Sequence, residues 1–165
     1  MKARSLCVTM KDKCCAVVAA AGSSRRMGEA KQWISLLGKP ALQWTLEAFC
    51  AAEEVNEIVL VIREEDKQLV ETLLGKISFS KPIQVVTGGA SRQKSILAGA
   101  MAAKADWIAV HDGARCLIQA YQIDEVIGDA RRFGAAALAV PVKDTIKWVE
   151  GEHTILSTPD RSHLW

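Results

Sequence analysis

The chain has 165 residues, of which 50% are hydrophobic and 24% charged, a balance typical of one globular domain. A formal net charge of +2 without a Lys/Arg block disfavours a dedicated nucleic-acid binder, and no apolar run is long enough to span a bilayer. Charged residues at positions 11–13 interrupt any secretion signal, so we expect a cytoplasmic protein. The five cysteines form no C-x-x-C pair, which favours free thiols over a zinc site or a disulfide framework.

Strands and helices alternate along most of the chain. Apolar runs predict strands over residues 14–20, 57–62, 83–86, 107–110 and 135–140. Helical spacing predicts a helix beginning near Pro40 and three more over residues 64–74, 92–103 and 120–132, with Ser91 as the N-cap of the third. The helical residues expected to face the core are Leu42, Leu46, Phe49, Cys50, Leu69, Leu73, Leu74, Ile96, Leu97, Ala100 and Met101. This alternation predicts right-handed βαβ units and a Rossmann-like, three-layer α/β fold with a mostly parallel sheet.

The pattern changes after Pro141. Residues 144–149 alternate between polar and apolar, residues 150–153 suit a turn, and residues 154–157 return, which predicts a β-hairpin. Its apolar side chains have no evident place in a parallel sheet. The hairpin therefore indicates an arm that packs on a second subunit, or an edge hairpin that covers its own core.

We divide the chain on this basis into two parts of a single domain. Residues 1–140 form the α/β part, and residues 141–163 form the β-arm. On the arm, Thr145 and Arg161 suit binding of a phosphate-bearing molecule, with an ordinary solvated face as the alternative.

The segment after the first predicted strand indicates a phosphate-binding turn. Residues 19–24 (AAAGSS) have small side chains, which let backbone N–H groups approach phosphate oxygens closely. Arg26 and Lys31 follow and can neutralise a polyphosphate. The spacing is neither that of a Walker A loop nor G-x-G-x-x-G, which disfavours both P-loop and dinucleotide folds. A turn at the carboxyl end of a strand predicts a nucleotide site, although a charged surface loop is the alternative.

Two further polar clusters follow predicted strands. Residues 88–95 (GGASRQKS) can bring backbone against the edge of a base, with Ser95 as a hydrogen-bonding partner; a plain turn with a helix cap is the alternative. In residues 111–115 (HDGAR), the Asp112 carboxylate suits sugar hydroxyls or Mg²⁺-bound water, and Arg115 suits a phosphate. The histidine of this cluster is better suited to a structural hydrogen bond than to catalysis.

Together these segments resemble the cytidylyltransferase family of the non-mevalonate isoprenoid pathway, which joins 2-C-methyl-D-erythritol 4-phosphate to CTP. The resemblance covers residues 14–165 and implies a nucleotidyltransferase fold. The matching segments are residues 20–27 (AAGSSRRM) with Lys31-Gln32, Gly88-Gly89 with Arg92 and Ser95, residues 111–115, residues 141–147 (PVKDTIK), and Asp160-Arg161 with Leu164-Trp165. Many sugar-nucleotide pyrophosphorylases share the first motif, whereas the five in this order are specific.

The resemblance implies a role for each matched residue. The expected catalytic residues are Arg26 and Lys31, which stabilise charge on the α-phosphate, and Arg161, which positions the acceptor phosphate. The expected nucleotide-binding residues are Ala20, Ala21, Gly22, Ser23, Ser24, Gly89, Ala90 and Ser95. The expected acceptor-binding residues are Asp112, Arg115, Thr145 and Arg161. The resemblance also implies Mg²⁺ as the cofactor, with Asp112 as an indirect contact, and a homodimer whose arms serve the neighbouring site.

The chain departs from the family pattern at several positions. Glu29-Ala30 stands where the family usually has proline before the lysine, and Gly113 stands within a motif that is usually His-Asp-Ala-Ala-Arg-Pro. The family also continues beyond the counterpart of Trp165 with a lysine that binds the acceptor phosphate. Two alternatives therefore stay open: a cytidylyltransferase for another polyol phosphate, such as ribitol 5-phosphate, and an inactive, truncated nucleotide-binding dimer. The arm sequence and the HDGAR cluster favour methylerythritol phosphate.

Overall fold

The computed structural model describes residues 12–22 and 30–165. The strands in this part of the chain are β1 (Cys14–Ala19), β2 (Ser35–Leu36), β3 (Lys39–Pro40), β4 (Glu57–Ile62), β5 (Ile83–Thr87), β6 (Trp107–Asp112), β7 (Trp148–Glu150) and β8 (Thr154–Ser157). The α-helices are α1 (Ala41–Ala51), α2 (Lys67–Lys76), α3 (Arg92–Ala102) and α4 (Ala120–Phe133). Short 3₁₀ turns occupy Lys31–Trp33, Glu64–Asp66 and Arg161–His163.

The central sheet consists of parallel strands in the order β5-β4-β1-β6, which confirms the predicted parallel α/β fold. β1 lies inside the sheet, where Val17 is opposite Val59 of β4 and Val110 of β6. Its residues are buried on both faces, as a continuous apolar run in a parallel sheet predicts. Because the strands run in one direction, their carboxyl ends meet at one edge, where Ala19 of β1 is opposite Asp112 of β6.

Helices cover both faces of the sheet. On one face lie α1, α2 and α4, and Leu46 and Ile127 from this layer belong to the larger core cluster. Each aliphatic side chain buried in this way stabilises the fold by about 1.5–3 kcal/mol. On the other face lies α3, where a Cβ atom on Gly99 would stand 2.5 Å from Val17 Cγ1 and 2.8 Å from Val61 Cγ2. The absence of a side chain at Gly99 therefore lets α3 lie directly on β1 and β4.

The inward faces of α2 and α3 differ from those predicted. The residues expected in the core but found exposed are Leu69, Leu97 and Met101. In α3 the buried residues are Ser95 and Gly99, because small residues let the helix approach the sheet closely. In α2 the buried residues are Val70 and Leu73, which confirms the prediction for Leu73. Together with the partly buried Leu74 they form an i, i+3, i+4 stripe, and Leu69 lies at its edge.

The predicted strand over residues 135–140 is wrong. These residues are exposed, and none of the backbone hydrogen bonds between described segments involves them. A groove of about 980 Å³ lies beside them, and its lining includes Leu138, Val140 and residues of the edge strand β6. A strand needs a neighbouring strand to pair its N–H and C=O groups, and residues 135–140 pair neither with the free edge of β6 nor with any other described strand.

The predicted β-hairpin is present. β7 pairs antiparallel with β8, and the turn between them contains two residues with positive φ, Gly151 and His153. The first strand begins at Trp148 rather than at residue 144, and a register shift separates Trp148 from Val149. Trp148 and Ile155 are 65% and 58% exposed, so the hairpin presents large apolar side chains to solvent.

Two further features of the described residues concern membrane spans and cysteines. No helix among them has the length and apolar character that crossing a membrane requires. Their cysteines, at positions 14, 15, 50 and 116, are free thiols, and burial raises the pKa of the Cys15 thiol to about 12.

Candidate active site

The turn after β1 and the turn after β5 meet at the carboxyl edge of the sheet. A Cβ atom on Gly88 would stand 2.7 Å from Ala21 Cβ and 2.7 Å from Ser95 Oγ, so the predicted site residues Ala21 and Ser95 converge on Gly88. The Ala20 N–H donates to Val61 O at 2.7 Å, which fixes the start of the β1 turn on β4. Of the other predicted residues of this turn, Gly22 is exposed, whereas Ser23, Ser24 and Arg26 lie outside the described residues.

Ser95, near the start of α3, holds the turn formed by Gly88 and Gly89, which we call the glycine turn. Its buried hydroxyl accepts from the Gly89 N–H at 3.1 Å and lies 3.3 Å from Gly89 O, to which it can donate. Ser91 accepts from the Lys94 N–H at 3.2 Å, which confirms the predicted N-cap. Gly88 and Gly89 are therefore held in a fixed turn, as a surface that receives a flat base requires. The nucleotide-binding roles of Gly89, Ala90 and Ser95 stay predictions.

A charged cluster lies at the end of β6. Asp112 Oδ1 accepts from Arg92 Nη2 at 2.9 Å, and Asp112 Oδ2 pairs with Arg115 Nε at 2.8 Å. Burial alone would raise the pKa of Asp112, but the two guanidinium groups hold it below its ordinary value. Two guanidinium groups on one carboxylate leave a net positive charge, which suits an anionic ligand.

Arg92 is a site residue to which the sequence analysis assigned no role. It begins α3, beside the glycine turn, and its bond to Asp112 joins that turn to the HDGAR cluster. The available signal was its place in the GGASR segment, three residues after Gly89. The partner of an exposed arginine depends on the fold, so the motif alone could not supply the contact.

The backbone of the HDGAR cluster is tied to β1 and to α1. The Gly113 N–H donates to Ala19 O at 2.8 Å, and the Thr45 hydroxyl donates to Gly113 O at 2.9 Å. Thr45 is fully buried, so this second bond is shielded from water. Asp112 is thereby held at a constant distance from the end of β1.

His111 has a structural place, as predicted. Its ring lies 5.1 Å from the ring of Phe49, and its Nε2 atom is 3.0 Å from Arg115 O. Burial lowers the pKa of His111 from its ordinary value of 6.5, against the opposing effects of the Arg115 carbonyl and Asp112. The neutral ring is therefore the form that the folded protein favours.

This pKa shift predicts a pH effect on stability. Between the lowered folded-state pKa and about 6.5, the unfolded chain binds more protons at His111, so the free energy of unfolding falls as pH drops through this window. A His111→Asn variant, which cannot titrate there, should show a smaller fall. Urea unfolding of both proteins above and below this window measures the difference. Equal pH dependence in the two proteins would contradict the assignment.

Lys31 lies at the same edge, on the 3₁₀ turn that precedes β2. The next residue, Gln32, is buried and donates from Nε2 to Ala20 O at 3.1 Å. This bond fixes the turn to the end of β1. The exposed Lys31 therefore lies beside the predicted phosphate-binding turn. Its catalytic role stays a prediction.

The arm residues occupy a separate place. Arg161 Nη1 donates to Lys143 O at 2.9 Å, within the arm itself. In the part of the chain that the structure describes, no hydrogen bond or ion pair joins Thr145 or Arg161 to Asp112 or Arg115. The structure of one subunit thus does not bring the two halves of the predicted acceptor site together. A site shared between subunits, which the resemblance implies, stays a prediction.

The described residues do not supply a metal cage. Residues 12–22 and 30–165 contain no group of three or more His, Cys, Asp or Glu side chains that could hold a metal ion. Each oxygen of Asp112 already faces a guanidinium group. A Mg²⁺ ion bound with a nucleotide takes most of its ligands from phosphate and water. The donor set therefore fits an indirect contact between Asp112 and such an ion.

A parallel α/β sheet with small-residue turns and cationic side chains at its carboxyl edge defines the nucleotide-binding class of α/β protein. Comparison with known proteins gives the family. The family model described as IspD, 2-C-methyl-D-erythritol 4-phosphate cytidylyltransferase, matches residues 14–165, and the chain belongs to this family.

Individual relatives agree with the family match. The chain is 42% identical to the 2-C-methyl-D-erythritol 4-phosphate cytidylyltransferase of Caldanaerobacter subterraneus subsp. tengcongensis, over 91% of this chain and 68% of the relative. It is 40% identical to the enzyme of the same name from Acaryochloris marina, over 90% of this chain and 65% of the relative. The solved structure of the 4-diphosphocytidyl-2C-methyl-D-erythritol synthase of Anaerococcus prevotii superposes with a TM-score of 0.82 at 27% identity, covering 93% of this chain and 67% of that one. The chain thus spans about two thirds of the length of these relatives.

Proposed function

We propose that the chain transfers CMP from CTP to 2-C-methyl-D-erythritol 4-phosphate, which yields 4-diphosphocytidyl-2-C-methyl-D-erythritol and pyrophosphate in isoprenoid precursor biosynthesis. The observation that carries the proposal is the convergence of three family motifs at one sheet edge. The β1 turn, the glycine turn and the HDGAR cluster are joined there through Gly88, Arg92 and Asp112.

The chemistry asks for alignment and charge neutralisation rather than for a general base. An oxygen of the acceptor phosphate attacks the α-phosphorus of CTP, a new P–O bond forms, and the bond to the β-phosphate breaks as pyrophosphate leaves. The attacking phosphate is already ionised, so no side chain has to remove a proton. The protein must therefore hold two anions in line and stabilise the charge that develops between them.

The residues divide this task by position. The β1 turn and the glycine turn receive the nucleotide, and Lys31 lies beside the α-phosphate together with Arg26. Asp112 and Arg115 take the acceptor, since a carboxylate accepts from sugar hydroxyls and a guanidinium donates to phosphate. We also propose that Mg²⁺ accompanies CTP and supplies positive charge at the triphosphate.

The assembly and its location complete the proposal. We propose a cytoplasmic homodimer in which the arm of one subunit brings Thr145 and Arg161 to the acceptor side of the neighbouring site. The exposed apolar side chains of the hairpin, including Trp148 and Ile155, support an interface there.

A pyrophosphate-release assay tests the function. The chain should release pyrophosphate with CTP, Mg²⁺ and methylerythritol phosphate, and much less with ATP, GTP or UTP in place of CTP. Faster release with ribitol 5-phosphate would replace the proposed acceptor by the rival polyol phosphate. Binding of CTP without release would favour the inactive nucleotide-binding dimer.

A further inference from the structure

The 3₁₀ turn that carries Lys31 is tethered at two points. Gln32 Nε2 donates to Ala20 O at 3.1 Å, and Trp33 Nε1 donates to Asp66 Oδ1 at 3.2 Å. The first tether leads to the end of β1, inside the proposed active site. The second leads to the junction between β4 and α2, which contributes no residue to that site. Besides the packing of Trp33 against the core, these two side-chain bonds restrict the orientation of the turn from both sides.

The distant tether is built on an ion pair between the buried Asp66 and Arg63, whose side chain is 24% exposed and also pairs with Glu65. Asp66 is 4% exposed, and its two oxygens accept from Arg63 Nη2 at 3.0 Å and Arg63 Nε at 2.9 Å. Arg63 thus donates to both oxygens and sets the orientation of the carboxylate that accepts the hydrogen bond of the Trp33 indole. The Asp66 carboxylate also raises the pKa of Arg63.

Stability alone is a weak reason for this arrangement. Burying the Asp66 carboxylate costs desolvation energy that well-packed apolar side chains avoid, and a partly exposed ion pair often contributes little net stability. What a satisfied buried network does provide is a defined geometry for the groups bonded to it. Here the group bonded to it is Trp33, two residues from Lys31.

We propose that Asp66, oriented by Arg63, is a positioning residue that acts through Trp33 to hold Lys31 at the α-phosphate of CTP. This inference rests on the proposed function, because it assigns Lys31 the role given there. Misplacement of a reacting group by about 1 Å can cost about 10²-fold in rate. Loss of one of two tethers should therefore lower the rate of transfer while nucleotide binding is retained.

A matched pair of tryptophan variants provides the test. Trp33→Phe removes the indole donor to Asp66 and keeps an aromatic ring in place. Trp44→Phe is the control, because it also removes an indole hydrogen bond, from Trp44 Nε1 to Leu36 O at 2.9 Å, in the neighbouring β2–β3 hairpin. We expect Trp33→Phe to lower kcat by about tenfold with KM for CTP within about twofold, and Trp44→Phe to leave both within about twofold.

The kinetic outcomes decide the role of the tether. Equal losses in the two variants would show general loosening and overturn the proposal. A rise in KM for CTP at constant kcat would also overturn it, because Trp33 would then act in nucleotide binding rather than on Lys31.

A readout at Lys31 separates this inference from the proposed function. Lysine side chains carrying ¹³C-methyl groups are followed by NMR as CTP is added, with a Lys31→Arg variant to assign the signal. In the unsubstituted chain the Lys31 signal should shift with CTP, and in Trp33→Phe it should shift less at full occupancy. An equal shift in both proteins would overturn the inference alone, whereas no shift in the unsubstituted chain would overturn the proposed function and the inference with it.

Discussion

Replacement of Lys31 by alanine should lower turnover by about 10²–10³-fold, the loss typical when a group that stabilises developing negative charge is removed. The free energy of unfolding should change by no more than about 0.5 kcal/mol, because the Lys31 side chain is exposed and is not part of the core. Pyrophosphate release gives the first quantity and urea unfolding gives the second.

The control for this substitution is Lys76→Ala, at the exposed last residue of α2. It removes the same charge and the same length of side chain from a position outside the proposed site. We expect Lys76→Ala to retain turnover within about twofold, as surface substitutions away from a site usually do. Arg26→Ala should match Lys31→Ala in turnover. Near-normal turnover in both the Arg26 and Lys31 variants would refute the proposed chemistry.

The predictable part of this site is what local sequence determines. Small residues after an apolar run indicate a turn at a strand end, and the order of the motifs places Ala21, Gly88, Ser95 and Asp112 at one edge once the strands are parallel. The Ser91 cap is equally local, because it depends on a hydroxyl near the first turn of its own helix. These features followed from neighbours in the chain and from a single assumption about strand direction.

The parts that sequence analysis missed depend on partners far away in the chain. The contact between Arg92 and Asp112 spans 20 residues, and the contact between Trp33 and Asp66 spans 33. Hydrophobic periodicity does not reveal such pairs, because each member is a common residue type that nothing in its own segment distinguishes. Residues 135–140 show the opposite case: their composition is strand-like, but they pair with no described strand and so form none.

The inward face of α3 shows why periodicity alone can select the wrong residues. Leu97 and Met101 are the larger apolar residues, and the pattern therefore places them inward. Gly99 instead packs against the sheet, because a residue without a side chain lets α3 approach the sheet more closely. Close packing in protein interiors favours this contact, so the smallest residue of the helix lies on its buried face.

This packing makes opposite predictions for two helical glycines. Gly99→Ala should destabilise the protein by about 2 kcal/mol, because the new methyl group would overlap side chains of Val17 and Val61 and overpacking costs about 1–3 kcal/mol. Gly128→Ala, in the interior of α4, should stabilise it by about 0.5–1 kcal/mol, since a Cβ atom there meets nothing within 4 Å.

The two substitutions add the same methyl group to the same kind of element, so their difference isolates the contact with the sheet. Both remove the backbone entropy of a helical glycine, which alone favours alanine at each position. Val17 and Val61 are buried and β-branched, with little rotamer freedom to move aside. Urea unfolding measures both free energies. A Gly99→Ala variant as stable as Gly128→Ala would show that α3 does not rest on β1 and β4 at this residue.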